Sequence, residues 1–194
     1  GASFLLQGRP TVSAGPALPV ADVNRAFRDV PRSSEQILHP EKYWGPGRRD
    51  DPLEVEIPKA ARALGRGWRR EGGNVLGELA LGALVGAPTP EADVAARETG
   101  GAWTHEAASG WGGDRWEVWS KDGLRVAVLV AVWDSDRDAE EFAAALPSRE
   151  GLAWRRAGDR VAVVAGSADR PLGPIAESLL RGVRVRAARP PKTR

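Results

Sequence analysis

The sequence predicts an α+β fold, in which a helical N-terminal part is followed by an antiparallel sheet with helices on one face. Three observations predict this class. The second half has the order strand–strand–helix–strand–strand–helix. Its strands are joined in pairs by tight-turn signals at residues 121–123 and 158–159. The first half contains short helical patterns interrupted by proline and glycine.

Composition limits the possible classes of protein. The 194 residues fit one domain or two small ones, with 42% apolar and 28% charged residues, an ordinary globular balance. Cysteine is absent, which excludes a disulfide framework and a thiolate metal site. No apolar run reaches the roughly 18 residues of a membrane span, and no signal peptide is visible. Because methionine is also absent, we expect the chain to be a fragment or a processed product.

Residues 1–88 are predicted to form a mainly helical segment that continues an upstream domain. Each helix is bounded by residues that start or stop helices, most often proline or glycine. The predicted elements are helices at 2–7, 20–29, 34–39, 58–64 and 74–85 and a half-exposed strand at 53–57.

Two helix starts in this segment carry particular signals. Residues 33–36 match a capping box, in which a serine caps the helix and the Gln36 side chain reaches back to the cap. Asn74 is the predicted cap of an apolar helix. The glycines inside that helix, Gly77 and Gly82, each cost about 1 kcal/mol relative to alanine, so we expect them to permit close packing.

Residues 89–187 are predicted to form the α+β sheet domain, after a proline-containing break at 86–90. Residues 124–133 are almost all apolar, as expected for a central strand that is buried on both faces. Asp134-Ser135 is the predicted cap of the helix that follows. The predicted elements are helices at 91–98, 102–108, 136–146 and 172–181 and strands at 114–120, 124–133, 152–157 and 160–165.

Residues 188–194 are predicted to be a basic, solvated tail. No acidic residue follows Glu177, and the last residues are rich in arginine. A basic tail could contact nucleic acid or anionic lipid, but no aromatic residue is interleaved for base stacking. Nucleic acid is therefore not an expected partner, although the formal net charge is +2.

Motifs for metal binding and catalysis are incomplete. His39 and His105 are the two histidines, and the segment that begins at His105 resembles half of a His-Glu-x-x-His zinc helix. Its fifth position is Ser109, so the second ligand is missing. Acidic residues at 134, 136 and 138 have calcium-loop spacing, but the required glycine and glutamate are absent. We predict no catalytic residue and no metal ligand in this chain.

Two sequence motifs, named here the first and the second phrase, are not explained by the periodicity of a helix or a strand. Residues 31–43 read PRSSEQILHPEKY, and residues 110–116 read GWGGDRW. A histidine at the end of a helix is favoured by the helix dipole, and paired glycines allow another segment to approach closely. We interpret their side chains as structural or close to a substrate. The candidate residues are His39, Glu41, Tyr43, Trp111, Asp114 and Arg115.

Eight tryptophans against one tyrosine is an unusual ratio. Four of them lie in or beside predicted strands and are expected in the core. These four are Trp116, Trp119, Trp133 and Trp154. The others flank glycine-rich turns, where they could line a groove for a peptide or a glycan. They are Trp44, Trp68, Trp103 and Trp111.

The two phrases also resemble an uncharacterised bacterial family. Further matching phrases are Gly67-Trp68, Leu76-Gly77-Glu78 and WDSDRDAEEF at residues 133–142. The family is similar to zinc metallopeptidases of the gluzincin kind, and the resemblance covers most of residues 20–165. Members carry a zinc-binding His-Glu-Leu-Thr-His helix upstream of these phrases, and that helix is not in this chain.

The resemblance implies a non-catalytic C-terminal portion of a secreted, periplasmic or lipoprotein-type protein. This portion would be accessory to an upstream zinc site, with the upstream domain of the same polypeptide as its partner. Any zinc would then be held there, with no cofactor in this chain. The alternatives are a stand-alone module that binds a peptide or glycan through its Trp/Gly-rich loops, and a structural domain without a ligand.

Overall fold

A computed structural model describes residues 2–5, 20–86 and 105–188 of the chain. These residues form two compact units that are each discontinuous in sequence. The helical unit comprises Gly1–Asp51 and Gly77–Ser109, and the sheet unit comprises Pro52–Leu76 and Gly110–Arg194. The predicted domain boundary at 88/89, the helix predicted at 91–98 and nearly all of the basic tail lie outside the described residues.

The helices of the described residues are short. None of them is both long and apolar enough to cross a membrane. In chain order the elements are α1 (Ala2–Leu5), α2 (Val20–Arg28), α3 (Ser34–Leu38), α4 (Glu41–Trp44), β1 (Leu53–Glu56), α5 (Ala60–Leu64), β2 (Arg69–Asn74), α6 (Gly77–Leu84), a 3₁₀ helix (Glu106–Ala108), β3 (Trp111–Lys121), β4 (Leu124–Trp133), α7 (Asp136–Ala145), β5 (Leu152–Ala157), β6 (Arg160–Gly166), α8 (Leu172–Gly182) and β7 (Arg184–Ala187).

The sheet unit confirms the predicted α+β class and the order of its strands and helices. Its main sheet is antiparallel, with strand order β2-β3-β4-β6-β5, and β1 pairs with β7 in a separate two-stranded sheet. The apolar strand β4 is central, and its second half, from residue 128, is fully buried as predicted. Both hairpins form at the predicted turns.

The two sheet helices lie on opposite faces, which corrects the predicted placement of helices on one face. Even-numbered residues of β4, such as Val130, share a core with Ile175 of α8. Trp133 is an odd-numbered residue, and its ring centroid lies 4.6 Å from that of Phe142 in α7. Since side chains alternate across a strand, α7 and α8 cover different faces.

Local signals account for the elements that were predicted well. Asp122 and Gly123 have φ values of 47° and 81°, the positive φ pair that a two-residue hairpin turn requires. Ser135 is the N-cap of α7, and its Oγ accepts a hydrogen bond from Asp138 N at 3.2 Å. The acidic residues with calcium-loop spacing therefore lie at a helix N-terminus, where the helix dipole favours them.

Two strands, β2 and β7, have no counterpart among the predicted elements. β2 contains two glycines and no β-branched residue, so it lacks a strand pattern and forms by pairing with β3. The predicted cap at Asn74 is wrong for the same reason. Asn74 ends β2, and α6 begins only at Gly77, whose φ of 76° favours glycine.

Candidate functional site

The first phrase builds a helix start that positions His39. Ser33 Oγ accepts a hydrogen bond from Gln36 N at 3.1 Å, which confirms the predicted serine cap. Gln36 reaches back one residue further than a capping box requires, because its Oε1 accepts from Arg32 N at 2.7 Å. His39 is the C-cap of this short helix, α3, and its backbone N–H donates to Glu35 O.

The His39 side chain forms a pair with a buried acid from α6. His39 Nε2 lies 2.8 Å from Glu78 Oε1, and Glu78 is 1% exposed. The second carboxylate oxygen of Glu78 has no hydrogen-bond partner among the described residues. Glu41 lies on the other side of the ring, with its Oε1 3.7 Å from His39 Nδ1.

A glycine allows α6 to approach α3 closely enough for this pair to form. A Cβ atom on Gly77 would lie 2.6 Å from Ser34 Oγ, so a larger residue would require the serine hydroxyl or the two segments to shift. Ser34 Oγ also accepts a weak hydrogen bond from Leu79 N, at 3.3 Å. The predicted close packing at Gly77 is therefore confirmed, and its partner is the serine next to the helix cap.

The hydrogen bond to Glu78 raises the pKa of His39 above its ordinary value of 6.5, against the lowering effect of burial. The charges of Glu78, Glu41 and Glu35 act in the same direction as this hydrogen bond. A cationic His39 therefore stabilises the folded helical unit, because the buried Glu78 carboxylate then faces an opposite charge.

We expect the stability of the helical unit to decrease as the pH rises. A folded-state pKa above the unfolded value of 6.5 stabilises the fold fully below pH 6.5, and this contribution is lost as the pH rises through the raised pKa. The loss is about 1.4 kcal/mol for each unit by which the pKa is raised. Urea unfolding followed by circular dichroism at several pH values measures it. The variant His39→Gln should remove this pH dependence, and an unchanged slope in that variant would contradict the assignment.

Lys42 and Tyr43 of the same phrase also hold the helical unit together. Lys42 Nζ donates to Glu35 Oε1 at 2.6 Å and to Asp50 Oδ2 at 2.9 Å. Tyr43 is 1% exposed, its hydroxyl donates to Asp29 O, and burial raises its pKa. These polar side chains of the phrase therefore join neighbouring segments of the helical unit to one another.

The second phrase builds a buried hydrogen-bonded corner in the sheet unit. Asp114 is 0% exposed, its Oδ1 accepts from Trp111 Nε1 at 3.0 Å, and its Oδ2 accepts from Leu76 N at 2.9 Å. Trp111 is 2% exposed and fills the core, as predicted. Arg115 is half-buried, with its Nε 3.7 Å from Glu117 Oε1. The structure therefore brings Trp111 and Asp114 together, while Arg115 points to another partner.

The tryptophans predicted to line a groove are placed differently from one another. Trp68 and Trp111 are buried, and half-buried Trp44 packs against Phe4 and Tyr43, with its Nε1 donating to Phe4 O. Trp103 lies outside the described residues. Of the four tryptophans expected in the core, Trp119 and Trp133 are buried, whereas Trp116 and Trp154 are half-buried.

The residues around His39 do not fit zinc. A zinc ion takes one nitrogen of a histidine at about 2.0–2.1 Å and needs at least three protein ligands around it. Glu78 and Glu41 lie beside different nitrogens of the ring, so the three side chains cannot meet at one ion in this arrangement. His105 Nδ1 instead accepts a hydrogen bond from Ala107 N at 3.1 Å, where it caps the 3₁₀ helix.

Glu78 is the important residue that was not among the candidates. It lies in the matching phrase Leu76-Gly77-Glu78 and is an acid at the start of an otherwise apolar helix. An acid in the first turn is normally explained by the helix dipole alone. The signal that could have identified Glu78 is its position next to Gly77, a glycine already expected to permit close packing.

The architecture is that of an α+β protein in which several side chains of the two phrases, such as those of Tyr43, Trp111 and Asp114, form hydrogen bonds inside their own unit. More specifically, the chain belongs to the family described as a domain of unknown function, DUF8575, whose model matches residues 65–167. The match begins before β2 and ends just after β6, so it includes every strand of the five-stranded sheet. No curated protein and no solved structure shows significant similarity to the chain.

Proposed function

We propose that this chain is a non-catalytic C-terminal portion of a zinc-metallopeptidase-like protein, accessory to a zinc site in an upstream domain. The observation that supports this proposal most directly is the pairing of His39 with Glu78 at 2.8 Å. The His39 side chain pairs with the buried carboxylate of Glu78, and Glu78 and Glu41 cannot bind one zinc ion together with it in this arrangement. Zinc chemistry in such a protein would need residues from another part of the polypeptide.

The roles of the other phrase residues support the same proposal. Tyr43, Trp111 and Asp114 are buried, and each makes hydrogen bonds within its own unit. Residues that act on a substrate must face a space that the substrate can enter. Buried hydrogen-bonded residues instead fix the shape of a unit, which is what an accessory domain needs. The resemblance that motivates this role also implies an extracytoplasmic location.

Zinc content of the purified chain and of the longer natural polypeptide tests the proposal. We expect well below one zinc per molecule in the 194-residue chain and no peptide hydrolysis. The longer polypeptide should contain about one zinc, because the ligands are proposed to lie upstream. Metal content is measured by mass spectrometry after dialysis, and hydrolysis is measured with a quenched fluorescent peptide mixture.

His39→Gln and His105→Gln are the matched variants, since they replace the two histidines of the chain. Zinc in the longer polypeptide should survive both replacements. One zinc per 194-residue chain that is lost in either variant would contradict the proposal, and so would a longer polypeptide without zinc.

A further inference from the structure

The outer edge of β5 is an open edge of the main sheet among the described residues. β5 is the last strand of the sheet, and no described strand pairs with its outer side. Gly166 N donates to Gly151 O at 2.7 Å, so odd-numbered residues of this segment bond to β6. Trp154 and Arg156 therefore direct their backbone N–H and C=O groups away from β6, towards the open edge.

The two edges of the sheet differ in regularity. The pairing of β2 is interrupted by a register shift between Arg70 and Gly72, and such bulges protect an edge against added strands. The pairing of β5 with β6 is regular over residues 152–157. β5 carries arginines in place of a bulge. Positive charges repel a second basic edge, including that of another copy of this chain, but attract an acidic strand.

A groove of about 600 Å³ runs beside this edge, between β5 and the C-terminal end of α7. Its apolar part includes Leu146, which is buried, and Trp154, which is half-buried. Its charged lining residues are Arg149, Arg155 and Arg156, and no acidic residue lines it. Arg156 Nη2 lies 4.0 Å from Glu140 Oε2 of α7. The groove thus combines an apolar floor with unbalanced positive charge.

Arg155 covers one of the outward backbone acceptors. Its Nη1 donates to Trp154 O at 2.8 Å, in an exposed position. A backbone N–H from an incoming strand can replace this donor with little loss, because an exposed hydrogen bond contributes little net stability. The released guanidinium would then be free to meet a carboxylate of the incoming strand.

Elsewhere in the same chain, an arginine-bearing strand already pairs with an acidic strand. β1 alternates apolar and acidic residues, and it pairs with the arginine-bearing strand β7. Arg186 donates to Glu54 Oε2 and to Glu56 Oε1, both at 2.7 Å. The carboxylates of β1 therefore meet an arginine of β7 across the ladder. The two arginines of β5, Arg155 and Arg156, are consecutive, so they lie on opposite faces and each can meet a carboxylate on its own face of an added strand.

From these observations we propose that the β5 edge binds an extended acidic segment of a partner protein as an added strand. The backbone groups of Trp154 and Arg156 supply the hydrogen bonds, the groove takes apolar side chains of the segment, and the arginines of the groove pair with its carboxylates. This surface lies in the sheet unit and does not depend on the accessory role proposed above.

A labelled seven-residue peptide of alternating Glu and Val tests this proposal by fluorescence anisotropy with the full chain. We expect saturable binding at peptide concentrations below about 1 mM, weaker at high salt. The variant Arg156→Glu should weaken binding at least about tenfold, because it reverses a charge in the groove. The matched control Arg69→Glu changes an exposed arginine on the other edge strand and should leave affinity within about twofold.

N-methylation of the peptide separates strand addition from simple charge attraction. Methylation of one alternate set of residues blocks the N–H groups that face β5, whereas methylation of the other set leaves them intact. We expect only one of the two methylated peptides to bind. Equal binding of both, equal weakening by Arg69→Glu and Arg156→Glu, or no binding at 1 mM would each overturn the proposal.

Discussion

The variant Gly113→Ala should strongly destabilise the sheet unit. A Cβ atom on Gly113 would lie 2.5 Å from Leu53 O and 3.1 Å from Leu53 C, which are backbone atoms of β1. Backbone cannot move aside like the end of a side chain, so β1 must shift away from β3. We expect a loss of about 2–4 kcal/mol, at the upper end of the usual overpacking cost, measured by urea unfolding.

Gly112→Ala is the matched control, because it adds the same methyl group one residue earlier. Its Cβ would lie 3.3 Å from Val132 O and 3.4 Å from Leu53 Cδ1, so small shifts can accommodate it. We expect a loss below about 1 kcal/mol. Similar unfolding midpoints for the two variants would contradict the close approach of β1 to Gly113.

The variant Asp114→Ala should have an effect of similar size through a different mechanism. It removes the acceptor of two hydrogen bonds, those from Trp111 Nε1 and from Leu76 N, at a residue that is 0% exposed. A buried donor left without an acceptor costs about 1–3 kcal/mol, so we expect a total loss of about 2–5 kcal/mol. Urea unfolding followed by circular dichroism measures this loss.

Arg115→Ala on the same strand is the control for Asp114→Ala. Arg115 is half-buried, and its ion pair with Glu117 is long, at 3.7 Å. Such a pair contributes about 0–1 kcal/mol. The buried-corner assignment fails if Asp114→Ala unfolds at the same urea concentration as Arg115→Ala.

Features encoded within a few residues could be predicted from the sequence. The turn at Asp122-Gly123 depends on two residues that tolerate positive φ, and the cap at Ser135 depends on one side chain and one nearby N–H. The apolar run of β4 indicated burial on both faces without any knowledge of its neighbours. The α+β class follows from these local signals and from the order of the elements.

Features that depend on distant partners could not be predicted. β2 has no strand pattern of its own, and it forms a strand because it pairs with β3. His39 was predicted to act at the end of its own helix, but its side chain pairs with Glu78, 39 residues later. Asp114 was recognised as a candidate without its partner Leu76 N, 38 residues earlier. Composition and period carry no information about such pairings.

The pairing of β1 with β7 has a consequence for the order in which a ribosome releases this chain. Glu56 and Arg186, which meet across the two strands, are 130 residues apart. During synthesis all five strands of the main sheet therefore leave the ribosome before β7, and β1 stays unpaired until then. Contacts between residues so far apart in sequence form slowly. The alternating acidic residues of β1 have a second use in this interval, because charges on an unpaired strand discourage association with other nascent chains.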